Sequence, residues 1–246
     1  MEREILGDLE RYDRQIRIIG IQGQAELSKT SVLVAGVGGL GCVASTYLAA
    51  AGVGKIILVD KGRIEKSNLN RQILYSEKDI EKFKAQVAAE KLRKLNSEIE
   101  IEGIVAEIND KNAMELIKKV DIVIDGMDNY RGRFSLNRAC IKLNKIFIHG
   151  AVHGLFGQLM VIAPNKGPCL QCVIPKEPPQ IDVIPIIGVI PAIIASLEVL
   201  EAIKIITGIG EPTIGKMIFF DGETMKIHEI KVSKKDDCPI CGKIGE

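Results

Sequence analysis

Two sets of residues in this chain have types and spacings that could do chemistry. The first is the turn Gly36-Val-Gly-Gly-Leu-Gly41. Its Gly-x-Gly-x-x-Gly spacing suits a nucleotide phosphate. The first glycine permits a tight turn, the second lets backbone approach phosphate, and the third lets a helix pack closely on a strand. Asp60 follows Gly41 by 19 residues, where a carboxylate accepts hydrogen bonds from ribose hydroxyls. The turn alone leaves the nucleotide open, NAD or FAD included. The second set is four of the six cysteines, spaced as Cys169-Leu-Gln-Cys172 and Cys238-Pro-Ile-Cys241. Two matched Cys-x-x-Cys pairs form two knuckles, and four thiolates close a tetrahedral, structural zinc site.

Charged and amide side chains narrow the nucleotide to ATP. In Ser67-Asn-Leu-Asn-Arg-Gln72, the Asn68 amide can donate to phosphate and the Arg71 guanidinium can grip two oxygens at once. Lys84 opens the next helical segment within reach of the same phosphates. Asp128, in Gly126-Met-Asp-Asn129, offers a carboxylate for Mg²⁺, which takes one or two carboxylates plus phosphate oxygens. A triphosphate needs its charge neutralised; a hydride-transfer site has little use for this set.

These residues need a frame, and the hydrophobic pattern supplies one. Ser31–Ala35 reads as a buried strand, Cys42–Ala51 as a small apolar helix closed by Gly52, and Lys55–Asp60 as a second strand, together a βαβ unit. Strands are expected at Ile99–Ile104, Val120–Ile124 and Ile146–His149, with helices at Lys82–Leu95, Asn112–Lys119 and Arg131–Asn144. That alternation implies a doubly wound, mostly parallel α/β Rossmann-like sheet. Two short amphipathic segments, Leu9–Ile18 and Gln22–Leu27, precede it. After Gly150 the texture changes. Gln158–Ala163 and Met217–Phe220 read as strands of an antiparallel C-terminal extension. Pro164–Pro191 holds 7 of the 9 prolines and reads as a crossover loop. Ile193–Ile206 reads as an apolar core or dimer helix stopped at Gly208. The expected organisation is one domain over 1–246: a nucleotide-binding half (1–150), then a half (151–246) with the crossover loop and zinc knuckles.

Bulk properties exclude several classes. With 246 residues, 46% hydrophobic, the chain can bury a sizeable core. Its 33 basic and 32 acidic residues leave a net charge of +1, so no field favours nucleic acid or an anionic membrane. No apolar run reaches the roughly 20 residues of a membrane span. Met1–Glu10 lacks the apolar run of a signal peptide, which points to a cytoplasmic protein. Cys42 and Cys140 read as small buried hydrophobes. His149 and His153 read as packed or solvent-facing histidines, with a metal or acid–base role as the sharper alternative.

Arg11-Tyr-Asp-Arg-Gln-Ile16, Val34-Ala-Gly-Val-Gly-Gly-Leu-Gly-Cys42, Ala50-Ala-Gly-Val-Gly54, Val59-Asp60, Ser67–Gln72, Lys84, Asp128-Asn129, Gly154-x-x-Gly157-Gln158, the paired cysteines and Leu200-Glu-Ala-Ile-Lys204 together resemble the ThiF/MoeB/HesA family. These are prokaryotic relatives of ubiquitin-activating enzymes, and the resemblance covers nearly the whole chain. It implies that ATP and Mg²⁺ bind the glycine turn and that the Gly-Gly carboxylate of a small ubiquitin-like sulfur carrier attacks the α-phosphate. Acyl-adenylate and pyrophosphate result, serving sulfur transfer to molybdopterin, thiamine or tRNA. By resemblance, Gly36, Gly38, Gly39 and Gly41 cradle the nucleotide and Asp60 holds the ribose. Ser67, Asn68, Asn70, Arg71, Lys84 and Asn129 serve the nucleotide, and Asp128 binds Mg²⁺. Arg14 reaches the neighbouring subunit's phosphates in a homodimer.

The chain departs from the family at Gly62, where a second acid is usual, at Met127, where a small polar residue is usual, and at Ala195, where glycine is common. The crossover segment Ile174–Gly188 has no cysteine, so adenylation is expected without a covalent thiol intermediate. The competing readings are an NAD-dependent Rossmann oxidoreductase and a non-catalytic scaffold of the same fold.

Overall fold

The structure is a computed structural model that describes residues 9–179 and 183–242. The expectation about Met1–Glu10 falls almost wholly outside these residues, as does the centre of the crossover segment, Gln180–Asp182.

Eight strands form one sheet in the order β3-β2-β1-β4-β5-β6-β7-β8. They are β1 (Ser31–Ala35), β2 (Lys55–Val59), β3 (Glu100–Ile104), β4 (Ile122–Asp125), β5 (Ile146–His153), β6 (Phe156–Ile162), β7 (Lys216–Asp221) and β8 (Lys226–Lys231). The first five are mutually parallel, and β5 to β8 pair antiparallel. β1, β2 and β4 are continuous apolar runs because helices cover both of their faces. Ala35 pairs with Val59 on one side and Asp125 on the other. The C-terminal ends of the three strands therefore lie level, where the order turns from β1 to β4 and sheets of this kind hold ligands.

Among the described residues there are seven α-helices, α1 (Asp13–Lys29), α2 (Gly39–Ala51), α3 (Lys84–Leu95), α4 (Ala113–Ile117), α5 (Tyr130–Lys142), α6 (Leu170–Val173) and α7 (Val189–Thr207), besides three short 3-10 turns. Side chains alternate across the sheet. Val32 and Val34 enter one core with α2, α3 and α7; Leu33 and Ala35 enter the other with α4, α5 and the cysteines.

The elements differ from the sequence reading at several ends. The two N-terminal amphipathic segments are largely one helix kinked at Gly20, which adopts φ +72. α2 begins at Gly39, so the turn feeds directly into it. β5 runs four residues past His149, to His153. The density of prolines reads the whole of Pro164–Pro191 as a crossover loop, yet Leu170–Val173 is helical. α7 starts at Val189 and takes Pro191 into its first turn, where a missing N–H costs no hydrogen bond. β8 has no sequence counterpart, because every residue of it is exposed and an edge strand needs no apolar alternation.

Candidate functional site

The glycine turn is packed too tightly for side chains. A Cβ on Gly36, whose φ is +86, would lie 2.5 Å from the Gly126 carbonyl oxygen, and one on Gly41 would fall on the Gly36 carbonyl. These approaches press the β1 and β4 turns together and seat α2 on β1. Gly38 caps α2 with no side chain, which leaves the helix's first N–H groups and its positive dipole end for an anion. Tyr75, buried, braces the turn from behind by donating to the Val37 carbonyl at 2.9 Å.

Asp60 sits at the end of β2. Its carboxylate accepts from the Val37 N–H at 2.7 Å and the Gly62 N–H at 2.6 Å. Each oxygen keeps a lone pair for a ribose hydroxyl. A Cβ on Gly62 would lie 3.0 Å from Asp60 Oδ1 and 3.5 Å from Lys84 Nζ. The bare position at 62 therefore faces both groups, and Lys84 is left half-buried with no carboxylate in ion-pair range among the described residues. Arg71 is in the same state. It packs beside Gly39, where a built Cβ would meet its Cγ at 3.6 Å. It donates only to neutral acceptors, the Ser67 carbonyl at 2.9 Å and Asn70 Oδ1 at 3.0 Å. Two cations beside a bare helix N-terminus, neither in an ion pair among the described residues, are a candidate anion site.

The remaining expected residues divide. Asn68 is buried; its Oδ1 accepts from the Glu65 N–H at 3.1 Å, and its amide N–H₂ donates to Ser67 Oγ at 3.5 Å. Ser67 donates to Glu65. Asp128 is exposed and accepts from Asn129 at 3.0 Å. Asn129 is the N-cap of α5, its Oδ1 accepting from the Gly132 N–H at 2.8 Å. Its duty in the fold is thus to start the helix that carries Tyr130 and Arg133. Arg14 lies exposed on α1, away from the turn in sequence and without an ion pair among the described residues.

Behind the Asp128 loop lies a buried polar cluster that the sequence reading did not assemble. Asp125, fully buried, accepts from Arg133 Nε at 3.1 Å, from the Met127 N–H at 3.0 Å and from His149 Nδ1 at 2.6 Å. Arg133 Nη2 also grips the Met127 and Gly150 carbonyls at 2.5 and 3.2 Å. Gln158 Nε2 stands 3.1 Å from His149 Nε2. Burial lowers the His149 pKa and outweighs the raising effect of Asp125, so the ring is neutral. Glu198, on α7 and fully buried, has no hydrogen-bond partner on either oxygen among the described residues. Burial, with the negative Asp125 nearby, pushes its pKa well above the carboxylate range. Polar residues breaking otherwise apolar strands, Asp125 in β4 and His149 in β5, were the available signal.

Two hollows flank the cluster. The crossover segment closes one of about 50 Å³ over Asp128, Asn129 and Tyr130, with Glu177, Pro178 and Ile184 on its far wall. A cleft of about 200 Å³ opens between Tyr130 and Arg133 of α5 and His153, Gln158 and Phe219 of the sheet. Tyr130 borders both. The crossover segment is tied down where Gly154 N–H donates to the Pro185 carbonyl at 2.7 Å.

The four paired cysteines converge. Their sulfurs lie within 4.8 Å of one another, with Cys169–Cys238 at 3.7 Å and Cys172–Cys241 at 3.4 Å. Tetrahedral zinc at about 2.3 Å from each sulfur sets them about 3.8 Å apart, so the donor set fits the ion. Burial raises the Cys238 thiol, but backbone N–H groups of Cys241 and Ile240 and the thiols of Cys172 and Cys169 bring it down to about 7, toward the ligating thiolate. Buried Asn137 accepts from the Leu170 N–H at 3.0 Å and so anchors the first knuckle.

Sheet order, glycine turn and unpaired cations define a nucleotide-binding chain of the doubly wound class. Residues 12–240 match the family described as "ThiF family", and the chain belongs to that family. It is 36% identical over 96% of its length to a sulfur carrier protein adenylyltransferase of Thermus thermophilus, spanning 91% of that protein. It is 39% identical to an adenylyltransferase and sulfurtransferase, MOCS3-1, of Zea mays, over 95% of this chain but 52% of the relative. Among solved structures it is similar to E. coli MccB, with a TM-score of 0.87 and 26% identity over 98% of this chain and 75% of that one. It is also similar to a structure described as E. coli MccB with ATP, with a TM-score of 0.83 and 27% identity over 94% of this chain and 74% of that one.

Proposed function

We propose that this chain uses ATP to adenylate the C-terminal Gly-Gly carboxylate of a small ubiquitin-like sulfur-carrier protein, releasing pyrophosphate. That it is an adenylyltransferase follows from its family and from its likeness, over nearly its whole length, to relatives of that name. The observation that carries the site assignment is the pair of cations, Arg71 and Lys84, beside the glycine turn and in no ion pair among the described residues. The Thermus relative's name supports a sulfur carrier as substrate.

The chemistry asks little of the protein beyond placement. A carboxylate is already a nucleophile at neutral pH, so no general base is needed. α2's N-terminus, with Arg71, Lys84 and Asn68, holds the triphosphate and stabilises charge developing on pyrophosphate as it leaves. Asp60 fixes the ribose. Asp128 has a carboxylate oxygen free of partners among the described residues and would hold Mg²⁺, which supplies charge neutralisation on the phosphates. The carrier tail would enter by the cleft beside Phe219 and pass Tyr130 toward Asp128, a division between a nucleotide half (1–150) and a carrier half (151–246).

A homodimer is supported by exposed apolar side chains on helices that pack together on one face, Ile18 and Ile21 of α1, Tyr47 of α2 and Leu200 of α7. Arg14 would then reach the neighbouring subunit's phosphates. Zinc in the cysteine cluster would be structural. No helix among the described residues is long and apolar enough to cross a membrane; reduced thiols and ATP dependence support a cytoplasmic site of action.

The test is carrier-dependent exchange of labelled pyrophosphate into ATP. The wild-type chain should catalyse it with a Gly-Gly carrier and not with a carrier lacking the terminal glycine. Arg71→Ala and Asp128→Ala should each lower it by about 10²–10³-fold. Full activity in both variants refutes the assignment.

A further inference from the structure

We propose that Asp125, His149 and Gln158 form an orienting relay that turns the Gln158 amide oxygen into the Phe219 cleft as an acceptor for a backbone N–H of the glycine tail. The proposal deepens the reading above and rests on the tail entering that cleft.

The proton positions follow one from another. Asp125 is fully buried and takes donors from Arg133 Nε and the Met127 N–H, which marks it as an ionised acceptor; His149 Nδ1, 2.6 Å from Asp125, therefore carries the hydrogen. His149 is fully buried and neutral, and a neutral imidazole has a single N–H. Its Nε2 is therefore a bare lone pair inside the sheet, which needs a donor. Gln158 Nε2, at 3.1 Å, is the one donor near it among the described residues. The amide cannot flip without setting two acceptors against each other. Its Oε1 is thus turned the other way. That oxygen has no partner among the described residues and is not enclosed, and Gln158 lines the cleft.

An oxygen locked as an acceptor, in a cleft walled by Tyr130, Phe156 and Phe219, suits a peptide N–H from an extended segment. A side chain could satisfy His149 equally well with a hydroxyl. An amide does so while presenting a second, opposite polarity outward, and the relay dictates which. Gln158 is thereby a positioning residue for the carrier, remote from the transferring phosphate, and its effect belongs in carrier binding rather than in turnover.

Two measurements test this. The first uses ¹⁵N-histidine spectra of the whole chain, which has three histidines. His149 should show the neutral Nδ1–H form between about pH 6 and 8, and Gln158→Met should shift only its Nε2 signal. In Gln158→Glu the inner oxygen demands a donor, so His149 should become doubly protonated while the outer oxygen still accepts. The second is pyrophosphate exchange driven by a Gly-Gly carrier and by its analogue with an ester in place of the last peptide N–H. Gln158→Met should raise the carrier KM about tenfold, with kcat and the ATP KM within about twofold, and Gln158→Glu should retain the wild-type carrier KM. The ester should cost the wild type about tenfold and Gln158→Met almost nothing further. A proton on Nε2 in the wild type, an unchanged carrier KM in Gln158→Met, or equal ester penalties at both proteins overturns the proposal. If no Gly-Gly carrier drives exchange, the functional reading fails and tail recognition with it. The spectra then still decide the proton order independently.

Discussion

Gly36 and Gly126 stand against each other so closely that a Cβ on either would strike the other's carbonyl oxygen. This contact joins the turn after β1, which offers its N–H groups to phosphate, to the turn after β4, which carries Asp128. Replacing Gly126 with alanine leaves the βαβ unit intact but forces the turns apart by a few tenths of an ångström or more. Gly126→Ala should lose about 1–3 kcal/mol of stability and at least tenfold in affinity for a non-hydrolysable ATP analogue. Denaturant titration and calorimetry read the two effects separately; wild-type nucleotide affinity in a folded variant would show that the contact does not set the site.

That contact also marks where sequence reasoning succeeds and where it stops. Gly36, Gly38 and Gly41 were legible because a fixed spacing serves a local task between one strand and the next helix. Asp60 was legible because the βαβ unit fixes how far it lies downstream. The cysteine pairs were legible because two identical short spacings have few other uses. Gly126 was not, because its reason is a neighbour 90 residues away in the chain. Arg133 and Glu198 failed for the same reason: each looks like an ordinary helix residue until α5 and α7 bring them around Asp125, whereas His149 stood out in its strand and is packed as read, its partner Asp125 being what the sequence did not show. Asn129 illustrates a different limit. Its side chain starts α5, and nothing in Asp128-Asn129 separates a cap from a ligand.

The cysteine cluster ties a tail beyond β8 to α6 and α5. Among the described residues the final segment has little regular structure, so a metal held by these cysteines would stand in for a core there. The purified chain should carry about one zinc per molecule. Cys238→Ser should cost about 2–4 kcal/mol and make the segment after Lys231 the first site of protease cleavage, read by mass spectrometry. A chain that binds no zinc in reducing buffer yet resists cleavage there would rule the metal out.

The two cysteines outside the cluster are poor nucleophiles. Cys42 is fully buried, and burial pushes its thiol up to about 12; Cys140 is buried and raised likewise. A thioester with the carrier needs a thiolate that substrate can reach, and neither supplies one. Exchange activity should survive brief N-ethylmaleimide treatment of the zinc-loaded chain, and Cys42→Ala and Cys140→Ala should each keep it within about threefold. Mixing enzyme, ATP and carrier should give no thiol-sensitive adduct on a non-reducing gel. An adduct that vanishes in one of these variants would place covalent chemistry where the structure leaves no room for it.

Glu198 and His149 should give stability opposite dependences on pH. Glu198 has a folded-state pKa well above its unfolded value near 4.5. Its neutral form is the one the fold accommodates, so its contribution is complete below about pH 4.5 and is lost as pH rises. His149 has a depressed folded-state pKa, so its contribution is present above the unfolded value near 6.5 and is lost as pH falls below it. Between these values the two oppose each other. Above about pH 6.5 the histidine contribution is constant and the carboxyl acts alone. Unfolding free energy should therefore decline from about pH 6.5 to 8.5, with a slope of at most about 1.4 kcal/mol per pH unit from this group. Glu198→Gln keeps the shape and removes the charge. It should flatten that decline and, at pH 8, leave the chain about 1–2 kcal/mol more stable than the wild type. The groups around Glu198 are Asp125 of β4, Arg133 of α5 and the Gly150 backbone beside His149. Parallel denaturant titrations of the two proteins at pH 6.5, 7.5 and 8.5 decide it: equal slopes would mean that Glu198 is ionised throughout and that Arg133 balances both acids.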